Sequence, residues 1–239
     1  MFVSHLTLQS PNDTIAANNF QCNHAFSFKE KTMSKTIDYY FTCISPFAYL
    51  GHGKLMEIAK AHDKNVHFKP FDIFGVWKES GAQPPAERAP VRQRYRMIEI
   101  QRVAVMRDVC MNPSPKHFPT NPAPADLCIT ALVHAGLDPA GFSHAVGRAC
   151  WEQNLDVASH ETLISLLEEC GHDSKMIMEL ADSEEITELR NANTQAAISS
   201  DAIGAPAYVY DGEVFWGQDR LEYLEHMIAS GRKAFSHDV

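Results

Sequence analysis

No two of the six cysteines (Cys22, Cys43, Cys110, Cys128, Cys150 and Cys170) form a C-x-x-C pair. That argues against a disulfide framework and a zinc knuckle, and for free thiols in a reducing, cytoplasmic compartment. The twelve histidines show no H-E-x-x-H or comparable ligand spacing, so no metal is expected. No apolar run approaches the ~20 residues that a membrane-spanning helix needs. Basic side chains are in deficit, 21 Lys and Arg against 30 Asp and Glu, for a net charge of −9. Nucleic acids and anionic membrane surfaces are usually gripped by a basic face, so neither is an expected partner. No internal repeat is visible. What is present is ordinary globular material: 239 residues, 45% hydrophobic and 21% charged, enough for one large domain or two small ones with an ample core.

Residues 1–34 differ from the rest, being polar and unpatterned, with neither the apolar core of a secretion signal nor the arginines of a transit peptide. They read as a disordered leader or an upstream start, with Met33 a natural beginning. From there, "TIDYYFT" (36–42) is a short strand, Pro46 to Ala61 a helix, and "NVHFKPF" (65–71) a second strand. That β-α-β unit fits parallel pairing with a right-handed crossover.

"KESGAQPPAERAP" then reads as loop, followed by about a hundred largely helical residues. In "VRQRYRMIEIQRVAVMRDV", Tyr95, Ile98, Val103 and Met106 fall on a helical period. "NPSPKHFPTNPAPADL" is a proline-rich excursion, and helical segments are expected over 125–135, 139–152, 159–170 and 174–198. Strand pattern returns at "PAYVYDGEVFWG", two runs joined by the hairpin signal Asp211-Gly212, and "DRLEYLEHMIA" closes as an amphipathic helix. The expected architecture is an α/β sheet assembled from both ends of the chain: an opening sheet segment over 35–72, a helical insertion over 73–184, and a closing sheet segment over 185–239.

The stretch "ISPFAYLG" (44–51) sits where the first strand ends and the first helix begins. Ser45 before Pro46 is an ordinary helix start, since serine caps free amides and proline suits the first helical position. A cap alone accounts for that pair.

The order β-α-β, helices, α-β-β-α, with "GAP" (204–206) before the third strand, resembles the thioredoxin fold interrupted by an all-helical insertion. "SPFAYLG" looks like the C-P-W-C-Y-L-G type of motif in disulfide-oxidase relatives, with Ser45 and Ala48 at the cysteine positions. With both sulfurs missing, dithiol–disulfide exchange is ruled out. S-P-F-x-Y-L at 45–50, G-x-P at 204–206 and W-G-x-D-R-L at 216–221 are similar instead to the family of kappa-class glutathione transferases and 2-hydroxychromene-2-carboxylate isomerases.

That resemblance implies glutathione as cofactor and Ser45 as the catalytic residue that hydrogen-bonds its thiolate. It implies that Ala205, held by a cis Pro206, pairs with the tripeptide backbone. Trp216, Gly217, Gln218 and Asp219 would take the γ-glutamyl end. Phe47, Trp77, Lys78 and Asn121 fall near positions that hold the acceptor, an electrophilic or aromatic small molecule. The insertion departs from the family in reading Gly-Ala-Gln-Pro-Pro where an Asn-Lys pair is usual. The implied activity is a glutathione-dependent isomerisation. The alternatives are a kappa-like transferase that releases a conjugate, and a redox-inactive module that binds peptides or proteins. A homodimer is the assembly that family members commonly adopt.

Overall fold

The computed structural model describes residues 34–236; the expectation for the leader lies outside the described residues, apart from Ser34. Strand β1 (Thr36–Phe41) is followed by helix α1 (Pro46–Ala61) and strand β2 (Asn65–Pro70). Seven helices come next: α2 (Ile73–Ser80), α3 (Pro90–Met106), α4 (Ala123–His134), α5 (Ala140–Trp151), α6 (His160–Glu169), α7 (Ser174–Ala181) and α8 (Glu184–Ser199). Strands β3 (Ala207–Tyr210) and β4 (Glu213–Trp216) and helix α9 (Leu221–Ser230) complete the order. The sheet runs β2-β1-β3-β4, with β1 and β2 parallel and the other pairings antiparallel. This is a thioredoxin fold carrying a helical insertion, as the element order implied.

Successive strand side chains point to opposite faces, and β1 feeds two cores accordingly. Ile37, Tyr39 and Phe41 join the large core with α1, α4, α5 and α9, whereas Tyr40 packs with Phe71, Val76 and Ala197 under α2 and α8. Gly51 lets α1 come close to the segment after β4. A Cβ there would stand 2.7 Å from the Gln218 Cβ and 3.1 Å from the Tyr208 hydroxyl. The Asp211-Gly212 turn has φ of 52° and 92°, the backbone that a two-residue hairpin of this composition demands.

Several local expectations need correction. The span 174–198 is two helices, because Asp182 ends α7 and the Ser183 side chain caps the Ile186 N–H to start α8. The loop expected from Lys78 begins only after Ser80, since α2 runs through that residue and ends at a left-handed Gly81. The proline-rich loop is also shorter than expected, for α4 starts at Ala123, where Pro122 and Pro124 fit the cap and first turn. On α3, Val103 is buried, but Tyr95, Ile98 and Met106 are exposed; the buried face is Ile100 and Val103, set by contact with α1.

Asp126, on α4, ties the insertion to the sheet. Its carboxylate is fully buried and accepts from the Cys43 N–H at 2.9 Å, the Thr42 hydroxyl at 3.1 Å and Arg190 Nη2 at 3.2 Å. Burial pushes its pKa up, and the Arg190 charge and Cys43 bond pull against that.

Candidate active site

Ser45 stands at the β1–α1 turn with extended backbone (φ −71°, ψ 122°), and its Oγ accepts from the Ala48 N–H at 3.3 Å. It is therefore the helix cap that Ser-Pro predicts. It is also more than that locally, since the same hydroxyl donates to the Ala205 carbonyl at 3.4 Å, 160 residues away in sequence. No acidic residue occupies the first turn of α1, so the positive end of the helix dipole is left open to an anion.

Opposite Ser45, the Ala205–Pro206 peptide is cis, and the Pro206 carbonyl accepts from the Gly217 N–H at 2.8 Å. Gly217 has φ of 103°, a conformation that side-chain-bearing residues rarely adopt. Gly204 supplies a wall without a side chain. A Cβ at that position would meet the Trp216 indole Nε1 at 3.1 Å and the Trp77 Nε1 at 3.4 Å. Two indole edges from distant elements therefore converge on the Gly204–Pro206 backbone. Phe47, the first aromatic of α1, packs with Leu50 against Ile100 and Val103 of α3.

Ser45, Trp77, Ala205, Pro206, Trp216 and Gly217 thus meet around the Gly204–Pro206 backbone, with Phe47 on α1 two residues beyond Ser45. The other sequence candidates are placed differently. Gln218 is buried, its Oε1 accepting from Arg107 Nη2 at 3.3 Å while Arg107 also pairs with Glu222 at 2.8 Å. Asp219 is exposed and ion-paired to its neighbour Arg220 at 2.7 Å. It makes no cap to α9, whose start is a short 3-10 turn over Gln218–Arg220. Lys78 is exposed, next to Trp77 on α2. The Asn121 Oδ1 accepts from the Ala123 N–H at 3.1 Å, which opens α4 rather than facing Ser45.

Cys43, two residues before Ser45, is buried, and burial together with the Asp126 charge raises its pKa well above the usual thiol range. It packs as a small hydrophobe. Trp151 is likewise a packing residue, buried with its ring 4.7 Å from Phe118.

Sequence reasoning missed Asp126, Arg190 and the arginines of the insertion. Asp126 carries no local signal. The arginines do: six of the ten in the chain lie within residues 88–107, where Glu99 is the only acid. Arg88 stands over the Trp77 ring at 5.9 Å.

Residues 36–229 match the model of the DSBA-like thioredoxin domain. The chain belongs to that family. Among curated relatives, the 2-hydroxychromene-2-carboxylate isomerase of Sphingobium xenophagum is 33% identical over 196 residues, covering 81% of this chain and 97% of the relative. Glutathione S-transferase kappa 1 of Homo sapiens is 22% identical, covering 82% and 92%. A solved 2-hydroxychromene-2-carboxylate isomerase superposes with a TM-score of 0.71 at 23% identity, over 82% of this chain and 95% of that one, which speaks for the fold. The curated relatives are isomerases and glutathione transferases, and with them this DSBA-like chain is an enzyme. Among the described residues, no helix is long and apolar enough to cross a membrane.

Proposed function

We propose that the protein is a glutathione-dependent isomerase of the 2-hydroxychromene-2-carboxylate isomerase type, with Ser45 as its catalytic residue. The observation that carries this reading is the bifurcated position of the Ser45 hydroxyl. It caps α1 and faces the Ala205 carbonyl, at the place where DSBA-like domains with a C-x-x-C motif keep a reactive sulfur. The donor set around it fits a thiol tripeptide. The α1 N-terminus is not neutralised, and neither the Trp77 nor the Trp216 indole N–H donates to a protein group among the described residues. When bound, glutathione supplies a sulfur nucleophile that attacks a conjugated carbon and is returned unchanged.

The chain's own contribution is electrostatic. A free thiol with a pKa of ~8.5 is only about 3% ionised at pH 7. Lowering that value to ~6.5 ionises most of it, for about 2.7 kcal/mol of differential stabilisation. The Ser45 O–H, turned from the Ala205 carbonyl toward the sulfur, and the first-turn amides of α1 are the groups that provide it. Ala205 and Pro206 present backbone to the tripeptide as an added strand, and Trp216 and Gly217 flank its γ-glutamyl end. Gln218 supports that end from behind through Arg107, and the Asp219 carboxylate leaves Arg220 to meet the ligand ammonium. Phe47 and Trp77 form the apolar side for the acceptor, with Lys78 and Asn121 at its rim. We assign the protein to the cytoplasm, as a homodimer.

The test is glutathione binding followed by ultraviolet absorption of the bound thiolate, with product mass. Wild type should bind, show the thiolate band at pH 7 and release an isomer of unchanged mass. Ser45→Ala should lose the band and at least tenfold in turnover, about 1.4 kcal/mol, within reach of one hydrogen bond to a charged group. Unchanged kinetics with a lower Tm would reduce Ser45 to a cap. A product heavier by glutathione would make the protein a transferase, and absence of binding would make it a peptide-binding module.

A further inference from the structure

Arg92 and Arg96 form a stripe on the first turns of α3, and Arg88, just before the helix in extended backbone, adds a third guanidinium close enough for its charge to act on Arg96. In a chain of net charge −9 such a stripe would ordinarily be laced to carboxylates. Among the described residues it is not. Arg88 bonds the Gln83 carbonyl through Nε at 2.8 Å, and no ion pair is formed by Arg88, Arg92 or Arg96. The only acid on α3, Glu99, is held by Arg102 at 3.3 Å.

The stripe has a definite address. Arg96 lies one turn before Ile100 on the helix face that continues through Val103 to Arg107. Ile100 and Val103 pack with Phe47 and Leu50 at the start of α1, and Arg107 reaches Gln218. That face therefore lies against the start of α1, which Ser45 caps. Arg88 stacks over Trp77, and Trp77 backs onto Gly204 beside the Ser45 partner Ala205. Arg88 and Arg96 are each half-buried. Burial first, and then a like charge (Arg92 for Arg88, Arg88 for Arg96), lowers the pKa of both. Partly desolvated cations that repel one another beside an aromatic wall are poor scaffold and a good anion receptor.

We propose that Arg88 and Arg96, with Arg92 at the rim, form a carboxylate subsite that orients a planar aromatic acid against Trp77, as the acceptor end of the Ser45 site. The assignment rests on the isomerase reading for its choice of acceptor over glutathione as the source of the carboxylate. Arginine suits this task, since its planar fork grips a carboxylate with two parallel bonds and stacks on aromatic surfaces.

Calorimetric titration of the purified chain tests this, with and without glutathione. The probes are chromone-2-carboxylate and its neutral carboxamide. The acid should bind wild type, more weakly as salt is raised. The Arg88→Gln/Arg96→Gln double variant should lose at least tenfold in affinity for the acid, with the carboxamide and glutathione each changed less than twofold. Arg94→Gln, two residues off the stripe and exposed, should be neutral. Equal loss of acid and carboxamide would show a packing role and overturn the subsite. Loss of glutathione affinity would give the cluster to the tripeptide, and an equal effect of Arg94→Gln would reduce it to a general field. No binding of the acid to wild type in either condition would also end it. Acid binding without glutathione binding would instead keep the subsite and sink the isomerase reading.

Discussion

Two polar clusters share the turn after β1, and they are built on opposite rules. At Thr42 and Cys43, the backbone and hydroxyl donors meet Asp126 in a dry joint where both carboxylate oxygens are occupied. Two residues later, Ser45 makes two long bonds of 3.3 and 3.4 Å, and its partner Ala205 adjoins Gly204, where the Trp77 and Trp216 indole N–H groups converge with spare donors. The first cluster holds the helical insertion on the sheet; the second keeps hydrogen-bonding capacity in reserve. Saturated polar groups stabilise because leaving a buried one unpaired is costly, whereas a site must leave donors unsatisfied until its ligand arrives. Low-energy scaffold and available chemistry are thus separated by two residues of one turn.

The sharpest way to break this contrast is Asp126→Ala. It removes the carboxylate from Arg190, leaving that guanidinium only the Phe71 carbonyl among the described residues, and the acceptor from the Thr42 hydroxyl and Cys43 N–H. Breaking a buried pair typically costs about 3–5 kcal/mol. Urea unfolding should show a loss of that order. Asp126→Asn, which keeps an acceptor for Cys43, should lose less. A stability change under about 1 kcal/mol in both variants would mean that the joint is not what fixes the insertion.

A second effect separates the scaffold side of α1 from its open end. His52 is buried against His144, with ring centroids 5.4 Å apart, and burial first and then the His144 charge lower its pKa from 6.5 to about 4. A depressed folded-state value means that the unfolded chain takes up the proton first as pH falls. The His52 contribution is complete above about pH 6.5 and is lost as pH drops from there to about 4, on the order of 3 kcal/mol. His144, also lowered chiefly by burial, adds in the same direction. Melting temperature should fall across that window in wild type and fall clearly less in His52→Asn. Parallel curves would assign the acid sensitivity elsewhere.

The smallest predicted shift compares two thiols on the one turn. Cys43 is raised far above the usual range by burial and Asp126. A thiol introduced by Ser45→Cys, at an unneutralised helix end, should titrate at least one unit below the ordinary ~8.5, about 1.4 kcal/mol in the opposite direction. Alkylation rate against pH reads it, once the exposed Cys110 has been replaced. A value at or above ~8.5 would show that the α1 end does not favour an anion.

Much of the scaffold was legible because its signals are local. β-Branched and aromatic runs marked the strands, Asp211-Gly212 marked the hairpin, and Ser45-Pro46 marked the α1 start. The break at Ser183 was hidden because both flanking segments are good helix formers, and only the cap geometry divides them. The exposed Tyr95 and Ile98 were misplaced because periodicity identifies an apolar stripe without saying which stripe finds a partner.

By itself, then, the sequence determined a sheet split across the chain ends, a capped helix after β1 and the absence of the redox thiols, since each depends on neighbours within a few residues. Only the tertiary structure decided that Ser45 faces Ala205, that Asp126 lies beneath the turn, and that Trp77 meets Trp216 at Gly204. It likewise decided that Gln218 is taken up by Arg107 while Arg88 and Arg96 form no ion pair among the described residues. These are contacts between residues tens to more than a hundred positions apart, and they are fixed by how the helices pack on the sheet, which no local pattern encodes.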